Sequence, residues 1–190
     1  MSRSFRTRPK NVIANERMPR DDDGNIIFPR IVTRSPKTGD IHPLNKRAIA
    51  VAYKRLPLEY FYGLKEIVLM PRNGEIGHPF GKYSPHSKQI FLYSVPPSEW
   101  ILEDAPNSYL NHLKSSHASV SLEGSKAIVE WETPFLFMFY LNVLFHELGH
   151  HYIHQYKCKK KLPMDVYLNE WHADLQVSRI HKHAFRKRSS

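Results

Sequence analysis

The most constraining feature of the sequence is a long apolar segment that runs directly into the five residues His146-Glu147-Leu148-Gly149-His150. Thr133 is suited to cap a helix, Pro134 is favoured at the first helical position, and residues 135–156 contain no further proline. Residues 135–145 are apolar on nearly all sides of such a helix, which is typical of a core element. We therefore predict a buried helix with a polar C-terminal part.

The polar residues of this helix have the spacing of a metal site. His146 and His150 are one helical turn apart, so both imidazoles lie on one face and can bind the same ion. Glu147 is rotated by about 100° from His146, near enough to reach a water molecule held by the ion. This is the HExxH arrangement of zinc hydrolases. The competing interpretation is a pair of hydrogen-bonded core histidines without a metal.

A catalytic zinc ion normally has three protein ligands, so a third donor is expected downstream. The long metzincin pattern would need a histidine at position 156, where the chain has Tyr156. His154 lies on the same helix, and straight-helix geometry makes three such ligands on one ion awkward. The third donor should therefore come from another element.

The predicted third ligand is Glu170, on a second helix that begins near Pro163. Ala173 shares a face with Glu170 and is small enough to let the two helices approach. Asp174, one turn after Glu170, could accept a hydrogen bond from a ligating imidazole. His172 is the rival donor and would give a three-histidine site. Without the upstream motif, this stretch would be interpreted as a solvated charged face.

The pattern of residues 146–150 followed by Asn169-Glu170 and Ala173-Asp174 resembles the gluzincin branch of zinc metallopeptidases. The short chain resembles minimal members of that branch, including the ImmA/IrrE type. The resemblance implies one Zn²⁺ ion, with a set of zinc ligands consisting of His146, His150 and Glu170. It further implies that Glu147 is the general base and that Asp174 orients a ligand.

No motif identifies the residue that would stabilise the transition state in such a family. The open candidates are Tyr83, Tyr152, Tyr167 and His181. The resemblance also implies a zincin-like fold, in which a small mixed sheet packs on a buried active-site helix and a second helix carries the third ligand.

The remaining elements indicate an α+β fold. Branched and aromatic residues predict strands at 65–70 and 89–93, and a hairpin joining 119–122 to 127–131. Helices are predicted at 43–56 and 104–115. Two segments between the first two strands, residues 72–74 and 81–82, are interpreted as turns. Residues 88–94 are a candidate edge strand for binding a substrate peptide, with an interior strand as the equal alternative.

The domain organisation predicted from composition has three parts. Residues 1–30 are rich in Arg and Pro and are interpreted as a flexible basic arm, residues 31–183 as the metallopeptidase domain, and residues 184–190 as a basic tail. The lone Cys158 and the absence of an apolar secretory segment favour the cytoplasm. No segment is apolar for the roughly 20 residues that a membrane span requires.

The chain has 28 Lys and Arg against 18 Asp and Glu, a formal net charge of +10. Such an excess is compatible with a nucleic-acid partner, although no reader motif accompanies it.

The sequence therefore predicts a zinc-dependent metallopeptidase that hydrolyses protein or peptide substrates by a zinc-bound water activated by Glu147. Two alternatives remain: a SprT-like protease associated with DNA, and a catalytically inactive, zinc-stabilised binding or regulatory protein. Substrate sequence and oligomeric state are not predicted.

Overall fold

A computed structural model describes residues 18–72, 79–156, 173, 174, 177 and 178 of the chain. These residues form an α+β fold with two small sheets, three α-helices and a short 3-10 helix at Leu58–Tyr60. The helices are α1 (Lys46–Arg55), α2 (Asn107–Ser115) and α3 (Thr133–Tyr156). The strands are β1 (Arg30–Thr33), β2 (Glu66–Met70), β3 (Gly81–Ser84), β4 (Gln89–Tyr93), β5 (Glu99–Glu103), β6 (Ser119–Glu123) and β7 (Lys126–Glu130).

The larger sheet is mixed and has the strand order β1-β2-β4-β3. Strands β1, β2 and β4 are parallel, and Ile67 of β2 is in register with Ile90 of β4. Among the described residues, strand β3 pairs only with β4, in the antiparallel direction, and forms an edge of this sheet. Ile67 and Ile90 are fully buried, which places the sheet against the core.

The second sheet is antiparallel, with the order β5-β7-β6. Its inner face buries Trp100 and Val129, which are directly opposite each other, whereas its outer face carries mostly charged or polar residues. The β6–β7 hairpin turns at Gly124, whose positive φ of 62° suits glycine. Helix α2 packs beside β6.

Helix α3 is the central element of the core. It contacts β3, β4 and the 3-10 helix, and its residues Leu136, Leu144 and Leu148 are at most 2% exposed. The buried Tyr140 hydroxyl donates a hydrogen bond of 2.8 Å to the carbonyl oxygen of Tyr93, which ties α3 to the end of β4. None of the described helices is long and apolar enough to cross a membrane.

Most of the elements predicted from local patterns are present. The strands at 65–70 and 89–93, the hairpin and the three helices are confirmed within a few residues at each end. Helix α1 begins after Asn45, whose side chain accepts a hydrogen bond from the amide of Ala48, and it ends just before Pro57. The α+β class is thereby confirmed.

One prediction about the larger sheet was wrong: residues 81–82 were interpreted as a turn, but they begin strand β3. For residues 88–94 the interior-strand alternative is confirmed, because β4 lies between β2 and β3, and the edge nearest α3 is β3. Strands β1 and β5 were not predicted. Strands β1 and β5 pair with residues distant in sequence, which local composition does not encode, whereas β3 forms a hairpin with the neighbouring β4.

Residues 18–30, assigned by composition to a flexible arm, contact the core. Met18 is 5% exposed, the ring of Phe28 stacks on Tyr53 at 5.1 Å, and the Tyr53 hydroxyl donates to the Pro29 carbonyl oxygen. Packing therefore begins on the N-terminal side of the boundary that composition had predicted between residues 30 and 31. Residues 1–17 and 184–190 lie outside the described residues.

A buried polar cluster joins the loop before α1 to the ends of two strands. The Asp40 carboxylate accepts hydrogen bonds from both Nε and Nη2 of Arg72 and from the Ser94 hydroxyl. Asp40 is 9% exposed and Ser94 is fully buried. A buried carboxylate requires such partners, and here they anchor the C-terminal ends of β2 and β4.

Candidate metal centre

His146 and His150 face each other on α3, as their spacing predicted. Their Nε2 atoms are 2.9 Å apart, and their rings are nearly perpendicular, with centroids 4.5 Å apart. Two nitrogens bound to one tetrahedral zinc at the usual 2.0–2.1 Å would be about 3.4 Å apart. A side-chain adjustment of about half an ångström would therefore suit this pair to zinc.

Asp174 lies behind His146, on the side away from His150. Its Oδ1 is 3.0 Å from His146 Nδ1. An ionised carboxylate can only accept, so the hydrogen must be on Nδ1 of His146. A neutral His146 then presents the lone pair of Nε2 towards His150. This is the carboxylate–histidine arrangement that accompanies many metal-ligating imidazoles.

The Glu147 carboxylate is buried and held by the edge strand. The side chain is only 7% exposed, and its Oε2 accepts a hydrogen bond of 2.6 Å from the backbone amide of Tyr83 in β3. This bond restricts the carboxylate at the wall of a cavity that His146 and Asp174 also line. The Glu147 carboxylate therefore lies at the same cavity as His146 and Asp174.

Gly81 permits the strand to come this close to the helix. A Cβ atom at position 81 would stand 2.7 Å from Cγ1 of Val143 and 3.0 Å from Cγ of Glu147. Both distances are tighter than ordinary van der Waals contact, so only glycine fits without a shift. The absence of a side chain at residue 81 therefore allows the amide of Tyr83 to reach Glu147.

The side chain of Tyr83 makes a second set of hydrogen bonds between β3 and α3. The Tyr83 hydroxyl lies 3.2 Å from Nδ1 of His151 and 3.2 Å from Nδ1 of His154, and Nε2 of His151 is 3.0 Å from the Tyr62 carbonyl oxygen. Since a carbonyl only accepts, Nε2 of His151 carries the hydrogen, and the Tyr83 hydroxyl donates to Nδ1. Burial lowers the pKa of His151 to about 4, so this imidazole is neutral near pH 7.

The two candidate donors for a third ligand, Glu170 and His172, lie outside the described residues. Within the part of the chain that the structure describes, no group of three or more His, Cys, Asp or Glu side chains is placed to hold a metal. The described geometry thus contains the two imidazoles and the carboxylate behind one of them. The third-ligand assignment stays a prediction.

Of the candidates for stabilising a transition state, only two are described. The Tyr83 hydroxyl is occupied by His151 and His154, whereas Tyr152 is 5% exposed and packs on Tyr60 with ring centroids 5.1 Å apart. Neither residue is among those that line the cavity beside Glu147. Tyr167 and His181 lie outside the described residues.

Sequence reasoning missed the residues that position Glu147. Gly81 was interpreted as part of a turn, and the Tyr83 amide is a backbone group that no side-chain motif reveals. A glycine within an otherwise strand-like stretch is a known sign of close backbone approach, and it was the one available indication.

Comparisons with protein-family models, with curated proteins and with solved structures found no match for this chain. The gluzincin resemblance therefore depends on the residues themselves.

We expect Gly81→Ala to lower the free energy of unfolding by about 1–3 kcal/mol, since the added methyl overpacks a close strand–helix contact. Chemical denaturation of the single variant and of Gly81→Ala with Val143→Ala measures the effect. The second substitution removes the nearer obstacle, so the loss in the double variant should be smaller than the sum of the two single losses. Strict additivity would contradict the proposed contact.

We expect the metal-free chain to lose stability as the pH falls from 6.5 towards 4, partly through His151. In that range the unfolded chain binds a proton on this imidazole that the folded chain does not, which favours unfolding by up to about 1.4 kcal/mol per pH unit. His151→Gln, which retains a donor and an acceptor, should flatten this dependence when unfolding is measured in the presence of a chelator. Equal pH dependences for the two chains would contradict the buried neutral state.

Proposed function

We propose that this chain is a zinc-dependent metallopeptidase. The observation that carries the proposal is the pair of imidazole nitrogens of His146 and His150, directed at each other across 2.9 Å, with the buried carboxylate of Glu147 next to them. Two imidazoles at this distance and orientation suit a borderline metal such as zinc. The Asp174 carboxylate behind His146 adds support, because it would orient that ring and raise its basicity.

In the proposed reaction each residue has a separate task. Bound zinc would supply a Lewis acid that polarises the scissile carbonyl and makes a coordinated water more acidic. Glu147 takes a proton from the attacking water and delivers it to the departing amine, so the peptide bond breaks without a covalent intermediate with the chain. The amide of Tyr83 orients the carboxylate for both transfers. His146, His150 and the predicted Glu170 would hold the ion, and Asp174 would orient His146.

The proposed fold is that of a small zincin, and β3 supports it in one respect. An antiparallel edge strand lies against the helix that carries the histidines, and its backbone is the closest strand to Glu147. An extended peptide could add to this edge through main-chain hydrogen bonds. The predicted substrates are accordingly proteins or peptides, and the predicted location is the cytoplasm.

Glu147→Gln should retain zinc but lose hydrolysis by about 10²- to 10⁴-fold in kcat, since the amide keeps the shape of the carboxylate without its basicity. Peptide cleavage and bound zinc are measured on the same preparation. Glu132→Gln, an exposed substitution just before α3, should leave both unchanged. In contrast, His150→Ala should lose zinc, whereas His154→Ala should keep it because that ring is directed to Tyr83. Hydrolysis at the wild-type rate by Glu147→Gln would refute the assignment of the base.

The third ligand can be identified by comparing zinc affinities. Outer partners of ligating imidazoles typically contribute 10- to 100-fold to affinity, so Asp174→Asn should weaken binding by about that factor. Glu170→Ala should weaken it by more than about 100-fold, because a direct ligand is lost, and His172→Ala should have little effect. Competition with a chromogenic chelator measures all three. The reverse order for Glu170 and His172 would assign the three-histidine site.

The net charge of +10 favours a second candidate, a protease associated with nucleic acid. Within the described residues, helix α1 presents Lys46, Arg47, Lys54 and Arg55 at exposed positions. DNA binding that weakens with salt, together with cleavage stimulated by DNA, would favour this candidate. The other alternative, an inactive zinc-stabilised protein, would bind zinc and unfold on chelation yet cleave no peptide in a broad library.

A further inference from the structure

A cavity of about 420 Å³ opens directly beside the candidate centre. His146, Glu147 and Asp174 form one side of it, and residues of α2, α3 and the segment leading into β3 form the rest. This volume lies within the usual range for sites that hold small ligands or side chains. Any group that occupies the cavity would therefore be next to the reacting bond of a substrate.

Three aromatic side chains, those of Phe80, Tyr109 and Phe139, line the cavity. Phe80 is at the centre of this arrangement, with its ring perpendicular to that of Phe139 at 5.0 Å and parallel to that of Tyr109 at 6.3 Å. Val143 and Val177 add aliphatic surface. Aromatic rings are favourable neighbours for another ring, because edge and face contacts add to the gain from burial.

The charged groups at the cavity are already paired. Glu147 accepts from the Tyr83 amide, and Asp174 is hydrogen-bonded to His146. His112, the remaining ionisable residue other than Tyr109 among the described residues of the lining, is solvent-exposed and lies at the mouth. An anionic substrate side chain would lose water there beside the carboxylates of Glu147 and Asp174, with no buried cation among the described lining residues, which is costly.

We propose that this cavity binds an aromatic side chain of the substrate, on one of the two residues that flank the cleaved bond. The inference rests on the proposed peptidase function and specifies its substrate class. Helix α2 contributes Tyr109 and His112 to the cavity and its C-cap residue Ser116 adds a third side chain, so this helix and its C-terminal end set the size of the side chain that fits.

The first test is digestion of a mixed peptide library by the zinc-loaded full chain, with the new termini sequenced. Aromatic residues should be preferred over Ala by about 10- to 100-fold in kcat/KM at one flanking position, as expected when a large apolar side chain is buried. Sequencing both new ends identifies which side of the bond the cavity serves. Cleavage without this preference, or with a preference for charged residues, would overturn the inference.

Two variants on α2 and its C-terminal end provide the matched comparison. Ser116 lines the cavity, so Ser116→Phe should fill it and reduce the preference for aromatic over Ala substrates by at least about 10-fold. Ser115 is exposed and lies outside the cavity lining, so Ser115→Phe should retain the wild-type preference. If circular dichroism shows that Ser116→Phe is unfolded, His112→Trp at the exposed mouth replaces it. An unchanged preference in a folded cavity-filling variant would overturn the inference.

A binding measurement separates this inference from the proposed function. Zinc-loaded Glu147→Gln is titrated with phenylalanine hydroxamate and alanine hydroxamate, which have the same metal-binding group. The phenylalanine compound should bind about 10-fold more tightly, and Ser116→Phe should remove that difference. Equal binding of the two compounds would overturn the cavity assignment alone. A zinc-loaded wild-type chain that cleaves no peptide would overturn the peptidase function and the inference that rests on it.

Discussion

The close contact between strand β3 and helix α3 is the constraint on which the candidate centre depends. The contact is tight enough that a single methyl group at Gly81 would collide with Val143 and Glu147. It brings a backbone amide to 2.6 Å from a buried carboxylate, which gives that carboxylate a partner without using any side chain. A buried carboxylate that retains its charge needs such a donor, and an edge strand can provide one because its outer amides are not paired within the sheet.

Neighbouring histidines of α3 are in very different environments. Because successive residues are rotated by about 100°, His150 faces His146 while His151 turns into the core between Tyr62 and Tyr83. His151 is fully buried, and its lowered pKa keeps it neutral, as a hydrogen-bonded core imidazole should be. The 2.9 Å between the Nε2 atoms of His146 and His150 is also a hydrogen-bond distance, so the competing interpretation of the motif, a hydrogen-bonded pair of histidines without a metal, stays a prediction beside the metal site.

The proposed chemistry uses the polar side of the cavity, and the proposed specificity uses its apolar side. The polar side of the cavity is formed by His146, Glu147 and Asp174, whereas Phe80 and Phe139 belong to its apolar side. A substrate would therefore be fixed by burial of an aromatic side chain and polarised at the adjacent bond.

Elements whose evidence is local could be predicted from the amino-acid sequence. Helix α3 has its capping residues, its apolar run and its paired histidines within one stretch, and the β6–β7 hairpin has a glycine turn between two apolar strands. Strand β3 lacks such evidence, since its four residues include a glycine and a lysine, and its identity comes from pairing with β4. The short strand β1 is likewise identified as a strand by its parallel pairing with β2.

Local patterning was therefore sufficient for the secondary structure of the core helix and for the face that His146 and His150 share. The partners of these residues were decided only by tertiary packing. The Tyr83 amide is 64 residues from Glu147 in the chain, and Asp174 is 28 residues from His146. Helical geometry orders residues within one turn, whereas contacts over such separations depend on how the strands pair and which side chains leave room between the elements.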